Sequence, residues 1–348
     1  MPAQPAVTVL MPAYNCAQFV DEAIQSILAQ SFTDFELLIV DDGSDDETGE
    51  VIRSFKDPRI RLLENRENLG VIKALNIGLE QAQGTYIARM DADDLSLPQR
   101  LAKQVAFMER TPQAAVCGAG MTTFSQQGPS STWLIVDDPE RLKADLVFHM
   151  VIPHGSIIFR REQQRREGIF YSEDFPHAED YHFLYQLSRV GEIRAVEEVL
   201  YRYRVHEAQT STIHNDAQRQ TADKVRALIL AEAGVSYSAK EWEIHTKLEA
   251  SDYPGLADNV VEMASWLGKL HRALSQGGDY NPGKLSEVMW NFWMLLCLSQ
   301  PRWRAVACLA RIFRPPLSRV FPWHGKLALK MLLYYIYRQA GDALSARN

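Results

Sequence analysis

The sequence predicts an α/β protein, a mostly parallel sheet flanked by helices and followed by a helical C-terminal extension. Three observations carry that expectation. Short apolar, β-branched runs alternate with helix-spaced segments as far as Met90, the pattern of βαβ units with right-handed crossovers. Two of those runs end in carboxylates, Asp41-Asp42 and Asp91-Ala92-Asp93-Asp94, and open sheets of this class bind ligands in the crevice beyond the C-terminal strand ends. From Asn215 onward the strand pattern stops and helical segments follow one another.

Residues 7–11 (VTVLM) form the first strand, short and apolar as a buried parallel strand is, with Pro12 as its stop. Asn15 is placed as the cap of a helix whose Phe19, Val20, Ala23, Ile24, Ile27 and Leu28 fall at helical spacing. Residues 35–40 (FELLIV) give the second strand, 47–55 a helix, 60–63 a third strand and 71–82 a helix with Leu75, Leu79 and Ala82 on one face. Tyr86 to Met90 is the fourth strand, and it runs straight into Asp91, Asp93 and Asp94. Pro98 opens a helix to Arg110. A strand over 115–119, a polar loop over 126–131 and a helix from Pro139 through Met150 come next. Residues 198–205 alternate as a strand, and beyond them helices are expected over 218–233, 239–250, 257–274 and 285–298, with Tyr280-Asn281-Pro282-Gly283 as a turn. The boundary is set at residue 214, giving an α/β region 1–214 and a helical region 215–348.

A length of 348 residues exceeds the usual span of one core, so a domain plus an extension is expected. Hydrophobic content of 46% and charged content of 23% are those of a folded chain. The net charge of −7 argues against a nucleic-acid binder. That charge is unevenly spread: from Gln300 onward nine basic residues face a single acid, Asp342, leaving the tail at +8 and the remainder at −15. Cys16, Cys117, Cys297 and Cys308 have no C-x-x-C spacing, so neither a disulfide framework nor a zinc site is implied and cytoplasmic surroundings are expected. No basic segment precedes an apolar run at the N-terminus, and no run reaches the roughly 18 apolar residues of a spanning helix.

Parallel strands point their C-terminal ends the same way, so Pro12-Ala13-Tyr14, Asp41-Asp42 and Asp91-Ala92-Asp93 should meet at one sheet edge. One acid cluster would read as a turn; several strand ends delivering an aromatic and carboxylates to one crevice read as a site. Crowded carboxylates repel one another unless a cation or hydrogen-bond donors sit among them. Neither G-x-G-x-x-G nor G-x-x-x-x-G-K-[ST] occurs, so a phosphate would be held by metal and side chains instead of a backbone nest.

Five ordered motifs, Val9-Leu10-Met11-Pro12-Ala13-Tyr14-Asn15, Gln30-Ser31-Phe32-Thr33-Asp34-Phe35-Glu36, Val40-Asp41-Asp42-Gly43-Ser44-Asp45-Asp46-Glu47-Thr48, Asn68-Leu69-Gly70 with Asn76-Ile77-Gly78, and Asp91-Ala92-Asp93-Asp94, together resemble the family 2 glycosyltransferases of GT-A fold. The match covers roughly the first 110 residues, and a weaker one continues to about residue 214. The resemblance implies that Pro12, Ala13 and Tyr14 line a base and ribose pocket, that Asp42 accepts a hydrogen bond from the base, and that Asp91 touches the ribose or a metal-bound water. An aromatic face with one carboxylate suits a planar ring bearing an N–H. Asp93 is implied to ligate Mg²⁺ or Mn²⁺ on the diphosphate, since a hard cation takes carboxylate and phosphate oxygens. Asp41 is read as a structural acid of the turn. The family's Arg before the Asn of the fourth motif is Leu75 here, and Lys73 is the substitute phosphate contact.

Residues 152–160 (IPHGSIIFR) resemble the family's acceptor-side strand, and His154 is expected either to bind acceptor or to be a structural histidine. Glu179 and Asp180 resemble the family's Glu-Asp pair, with Asp180 as general base and Glu179 on the acceptor side; the plainer alternative is two acids complementing a helix N-terminus. An acceptor hydroxyl attacking an anomeric carbon must lose its proton, and a carboxylate can take it. His206, followed by Gln209-Thr210-Ser211, resembles the closing segment, with His206 as a further metal ligand.

The expectation is therefore an inverting glycosyltransferase of cell-surface polysaccharide synthesis. Its donor is a nucleotide diphosphate sugar, UDP-linked, and its acceptor a hydroxyl of a glycan or lipid-linked molecule. A non-catalytic sugar-nucleotide-binding or scaffold protein and a nucleotidyltransferase are the alternatives, the latter without its usual Gly- and basic-rich loop after the first strand. Residues 288–298 carry Trp290 and Trp293 on an apolar run, and the basic residues beyond are interleaved with Trp303, Phe313, Phe321, Trp323 and Tyr334. Two readings stand for this tail: a segment at the headgroups of an anionic membrane, peripheral at the inner face of the cytoplasmic membrane, or a helical bundle with its own core.

Overall fold

The computed structural model describes residues 4–125, 130–206, 215–300 and 302–321. The chain forms two compact units, one built from residues up to Leu142 with Met150–Val225, the other from Lys143–His149 with the described residues from Arg226 on.

In the first unit β1 (Val7–Ala13), β2 (Phe35–Asp41), β3 (Ile60–Glu64) and β4 (Tyr86–Arg89) run parallel in the order β3-β2-β1-β4. Helices α1 (Ala17–Leu28), α2 (Thr48–Ser54) and α3 (Val71–Gln81) make the crossovers. Val7, Val9, Met11, Leu37 and Ile39 are fully buried with Val20, Ile24 and Ile27 of α1, which is why these strands read as continuous apolar runs.

Two local expectations are corrected. Pro12 does not stop β1, which continues to Ala13 in register with Asp41. The Leu10 carbonyl accepts from Met90 N, so residue 12 also faces the β4 side, and the ladder with β4 ends at Leu10. The missing proline N–H therefore costs no sheet bond. Asn15 does not cap α1. It takes a positive φ of 45° and its amide exchanges bonds with Asp45, at 2.7 and 3.0 Å, while Asp46 accepts from the first helical N–H, Ala17, at 3.2 Å.

Beyond β4 the sheet becomes mixed. β5 (Leu95–Ser96) leads into α4 (Arg100–Arg110), and β6 (Ala114–Phe124) runs parallel to β9 (Glu192–Arg204), the last strand of this unit. Between them come β7 (Thr132–Trp133), α5 (Pro139–Asp145), β8 (Ile158–Arg160), α6 (Arg161–Arg166) and α7 (Glu179–Ser188). β8 lies antiparallel between β4 and β6, and β5 antiparallel to β9. Register shifts on either side of Gly120 interrupt the β6–β9 ladder, and such irregularities bend a sheet. The helix expected to reach Met150 ends at Asp145, where Phe148 N turns back to the Asp145 carbonyl at 2.9 Å.

A buried polar network fixes the strand end that carries the acids. Arg100, fully buried, donates to the Arg89 carbonyl at 2.7 Å and to Gln104 at 3.1 Å, and Gln104 donates to the carbonyls of Cys117 and Ser156. Arg100 Nε and Nη2 and Gln104 Nε2 thereby meet acceptors, as burial demands.

The second unit is helical, with helices at Ala239–Glu249, Val260–Gln276 and Pro282–Ser299. Trp266 and Trp293 are fully buried, and Arg226 reaches Glu249 at 3.2 Å and the Phe148 carbonyl at 3.4 Å. The expected turn at residues 280–283 is a helix start: Asn281 Oδ1 accepts from Gly283 and Lys284 N–H, with Pro282 in the first turn. Residues 288–298 pack inward, burying Val288, Met289, Trp290, Phe292, Trp293, Leu296 and Cys297 and exposing Leu295 and Leu298. No described helix is long and apolar enough to cross a membrane. Gln209, Thr210 and Ser211, Trp323 and the remaining tail residues lie outside the described residues.

Candidate active site

The site begins where β4 ends. Strand alternation puts Arg89 and Asp91 on one side, and they form an ion pair with Arg89 buried. The three acids of the cluster then separate into different environments. Asp94 is fully buried and accepts from the Tyr201 hydroxyl at 2.7 Å and from Arg204 N at 2.7 Å, so it anchors the end of β9. Tyr201 Oη also lies 3.3 Å from Asp91 Oδ2; one hydroxyl proton serves one acceptor, and the shorter contact favours Asp94. Asp93 Oδ2 meets His206 Nε2 at 3.0 Å. Burial, then the neighbouring Asp91, raises the Asp93 carboxyl above its ordinary range, with His206 opposing. Burial, then Asp91 and Asp93, pushes Asp94 well above it.

A cavity of about 280 Å³ opens beside this strand end, lined by Arg89, Asp91, Asp93, His154, Glu179 and Asp180. His154 arrives from the short turn His154–Ser156 before β8, and Glu179 with Asp180 from the first turn of α7. The imidazole of His154 bonds the Tyr171 hydroxyl at 2.8 Å. Burial, then the charge of Arg89, holds it well below the ordinary histidine range, so it is neutral. Tyr171 is held in turn by Asn76, whose side-chain amide donates to the Tyr171 carbonyl at 2.8 Å and accepts from its N–H at 3.0 Å. A Cβ on Gly155 would overlap the Tyr201 hydroxyl, which makes glycine a requirement of this wall.

Glu179 is the strongest pointer to a ligand among these side chains. Its Oε2 is buried with no hydrogen-bond partner, an arrangement that is costly unless something else supplies one. Burial, then Asp180, pushes its carboxyl up to about 7. Burial raises Asp180 as well, opposed by the Tyr181 N–H and by Arg89.

The remaining expected residues fall into three groups. Pro12 and Ala13 end β1 opposite Val40 and Asp41, and Tyr14 just beyond is 45% exposed, an open aromatic face. Asp42 is buried and already accepts from Asn65 Nδ2 at 2.7 Å, Gly70 N at 2.8 Å and Leu69 N at 3.1 Å. Asp41 accepts from Ser44 N and Oγ within its turn. Lys73 does not line the cavity. It is exposed on α3, 3.5 Å from Glu173, and Leu75 on the same helix is fully buried.

Sequence reasoning passed over Arg89, Tyr171, Tyr201 and Gln218, all placed by the structure in or against the cavity wall. The period of two in β4 was a signal for Arg89, two residues before Asp91. Nothing local marks the others.

Among the described residues no three His, Cys, Asp or Glu side chains converge as a self-sufficient metal cage. Asp93 and His206 form a two-ligand pair, a carboxylate oxygen beside an imidazole nitrogen, with the Asp91 carboxylate lining the same cavity as Asp93. That donor set fits a hard divalent ion that takes its other ligands from phosphate oxygens and water. The thiols of Cys16 and Cys117 are pushed up to about 12 by burial and are poor nucleophiles.

A family model described as Glycosyl transferase family 2 matches residues 8–165. An uncharacterized glycosyltransferase of Haemophilus influenzae is 34% identical over 236 residues, which are 64% of this chain and 72% of that protein. The putative glycosyltransferase EpsE of Bacillus subtilis is 38% identical over 168 residues, 47% of this chain and 60% of its own length. Among solved structures, residues 1–349 of S. aureus TarS in complex with UDP-GlcNAc align with a TM-score of 0.57 at 18% identity, covering 96% of this chain and 92% of that one, a likeness of fold. The matched span takes in both acid-bearing strand ends and His154, and the identity to the Haemophilus protein extends over most of its length: the chain belongs to glycosyl transferase family 2 and has the GT-A fold.

Proposed function

We propose that this chain is an inverting glycosyltransferase of polysaccharide synthesis, moving a sugar from a UDP-linked donor to a hydroxyl of a glycan or lipid-linked acceptor. The observation that carries the reading is the meeting, in one cavity, of Asp91 and Asp93 with Asp180 and with Glu179, whose Oε2 lacks a hydrogen-bond partner. The first pair suits the diphosphate and ribose side of a donor, the second an acceptor hydroxyl.

Asp180 acts as the general base. The acceptor oxygen bonds to the anomeric carbon as the bond from that carbon to the diphosphate oxygen breaks, and the hydroxyl proton passes to the Asp180 carboxylate. A carboxyl raised toward neutrality by burial is a stronger base than a solvated one. One displacement without an enzyme nucleophile inverts the anomeric centre. Glu179 orients the acceptor through the buried oxygen that lacks a protein partner, and the neutral imidazole of His154 stands by it in the same wall. Pro12, Ala13, Tyr14 and Asp42 form the nucleotide end, Tyr14 offering its exposed ring to the base. Asp93 and His206 would hold Mg²⁺ or Mn²⁺, which when bound neutralises charge on the departing diphosphate. Lys73 is the weakest member of the set, since Glu173 already engages it. The tail of net charge +8 supports attachment to an anionic membrane surface, where a lipid-linked acceptor would be met.

The test is calorimetry with UDP, with and without Mn²⁺, alongside transfer assays on Asp180→Asn. Metal-dependent UDP binding retained by a variant that no longer transfers sugar is the expected result. Ordinary turnover by Asp180→Asn, or no UDP binding by the parent protein, would sink the reading.

A further inference from the structure

The helical unit carries a second cavity, of about 280 Å³, between the C-terminal half of the Val260–Gln276 helix and residues 316–320. It is built by close packing, since a Cβ on Gly268 would overlap the Pro316 ring. His271, Arg272, Ser275, Gln276 and Arg319 supply its polar lining, and no carboxylate does. Arg272 and Arg319 are exposed at the cavity and have no ion-pair partner among the described residues. Ser275 Oγ is buried without a hydrogen-bond partner. His271 is engaged by the Pro282 carbonyl at 3.1 Å and Ser286 Oγ at 3.0 Å, and burial lowers its pKa, so it adds no charge.

We propose that this cavity binds the phosphate of a phosphomonoester or diphosphate, outside and independent of the transfer site. Two guanidinium groups present forked N–H donors that match phosphate oxygens. A hydroxyl and a side-chain amide add neutral donors, and the missing carboxylate removes the repulsion an anion would otherwise meet. A helix C-terminus favours cations by itself, which accounts for Arg272 alone. It accounts neither for Arg319, which comes from a different segment, nor for a buried serine hydroxyl left without a partner. All five charged side chains over residues 302–321 are arginines, and Trp323, Lys326 and Lys330 follow in the sequence. That composition favours a phosphate presented at a lipid surface.

The experiment uses the full chain and two probes: glycerol 3-phosphate in solution by calorimetry, and phosphatidylcholine vesicles carrying phosphatidic acid or, at equal charge, phosphatidylserine. Binding that prefers phosphatidic acid and weakens about tenfold with each of Arg272→Gln and Arg319→Gln is expected, the loss typical of one charge-assisted contact. Ser275→Ala, which keeps the charge, should weaken it as well. Binding to both probes assigns the site to the phosphate group itself, and binding to vesicles only assigns it to a headgroup in a bilayer. Binding of glycerol 3-phosphate only assigns it to a soluble phosphate; equal affinity of the parent and the Arg272→Gln/Arg319→Gln variant at unchanged Tm, or neither glycerol 3-phosphate binding nor a preference for phosphatidic acid over phosphatidylserine, would overturn the proposal.

Discussion

His206 Nε2 lies 3.0 Å from Asp93 Oδ2, joining the residue just past the last strand of the sheet to the acid turn after β4. Two side chains 113 positions apart in sequence thus form one donor pair at the cavity edge. Replacing either, by Asp93→Asn or His206→Gln, is expected to weaken Mn²⁺-dependent UDP binding at least tenfold, about 1.4 kcal/mol. Calorimetry checks this, and with EDTA present the variants and the parent should converge on the same weak affinity.

Asp180→Asn should lower the rate of transfer by roughly 10²- to 10⁴-fold, the range for loss of a general base. UDP affinity should stay within about twofold under the acceptor-side role proposed for this side chain. A variant that loses UDP binding in proportion to activity would move Asp180 to the donor side.

Glu179 ties stability to pH. In the folded state burial, and then Asp180, pushes its carboxyl up from an ordinary value of 4.5 to about 7. The folded state therefore retains a proton that the unfolded chain has lost, and stability falls as pH rises through that interval. The loss is up to about 3 kcal/mol. Urea titrations at pH 4.5, 6 and 7.5 should show this decline, and Glu179→Gln should flatten it; a decline of equal slope in the variant would assign the dependence elsewhere.

Tyr201→Phe removes the hydroxyl that serves buried Asp94 and accepts from Asp91 N. A cost of about 1–3 kcal/mol is expected for an acceptor left short of its donor. Gly155→Ala drives a methyl group into the same tyrosine ring and should also reduce transfer, because that wall carries His154. Thermal unfolding and transfer assays on the two variants check both expectations.

Much of the sheet could be read from residue order alone. β1 to β4 announce themselves because a parallel strand buried on both faces needs an unbroken apolar run, and the helices between them carry their inward faces at regular spacing. The second half was less legible. β8 was expected as part of a longer strand, β9 only from residue 198, and β5 and β7 not at all, because two-residue strands have no periodicity to detect. Asn15 was misread for a related reason: a small polar residue before a helix signals a cap, and here the partner that claimed it, Asp45, lies 30 positions away.

The sequence by itself determined that carboxylates would stand at the ends of β2 and β4, since strand polarity and side-chain alternation are local consequences of the chain. It determined too that Glu179 and Asp180 would open a helix. Only the tertiary structure decided what each acid does. Asp91, Asp93 and Asp94 are near-identical in sequence context, yet one pairs with Arg89, one meets His206 and one is spent anchoring Tyr201 and Arg204. A carboxylate's role is set by its burial and by the donors within about 3 Å of it; Asp91 finds its partner on its own strand, Arg89, whereas the donors to Asp93 and Asp94 come from β9 and the residues after it, more than a hundred positions along the chain.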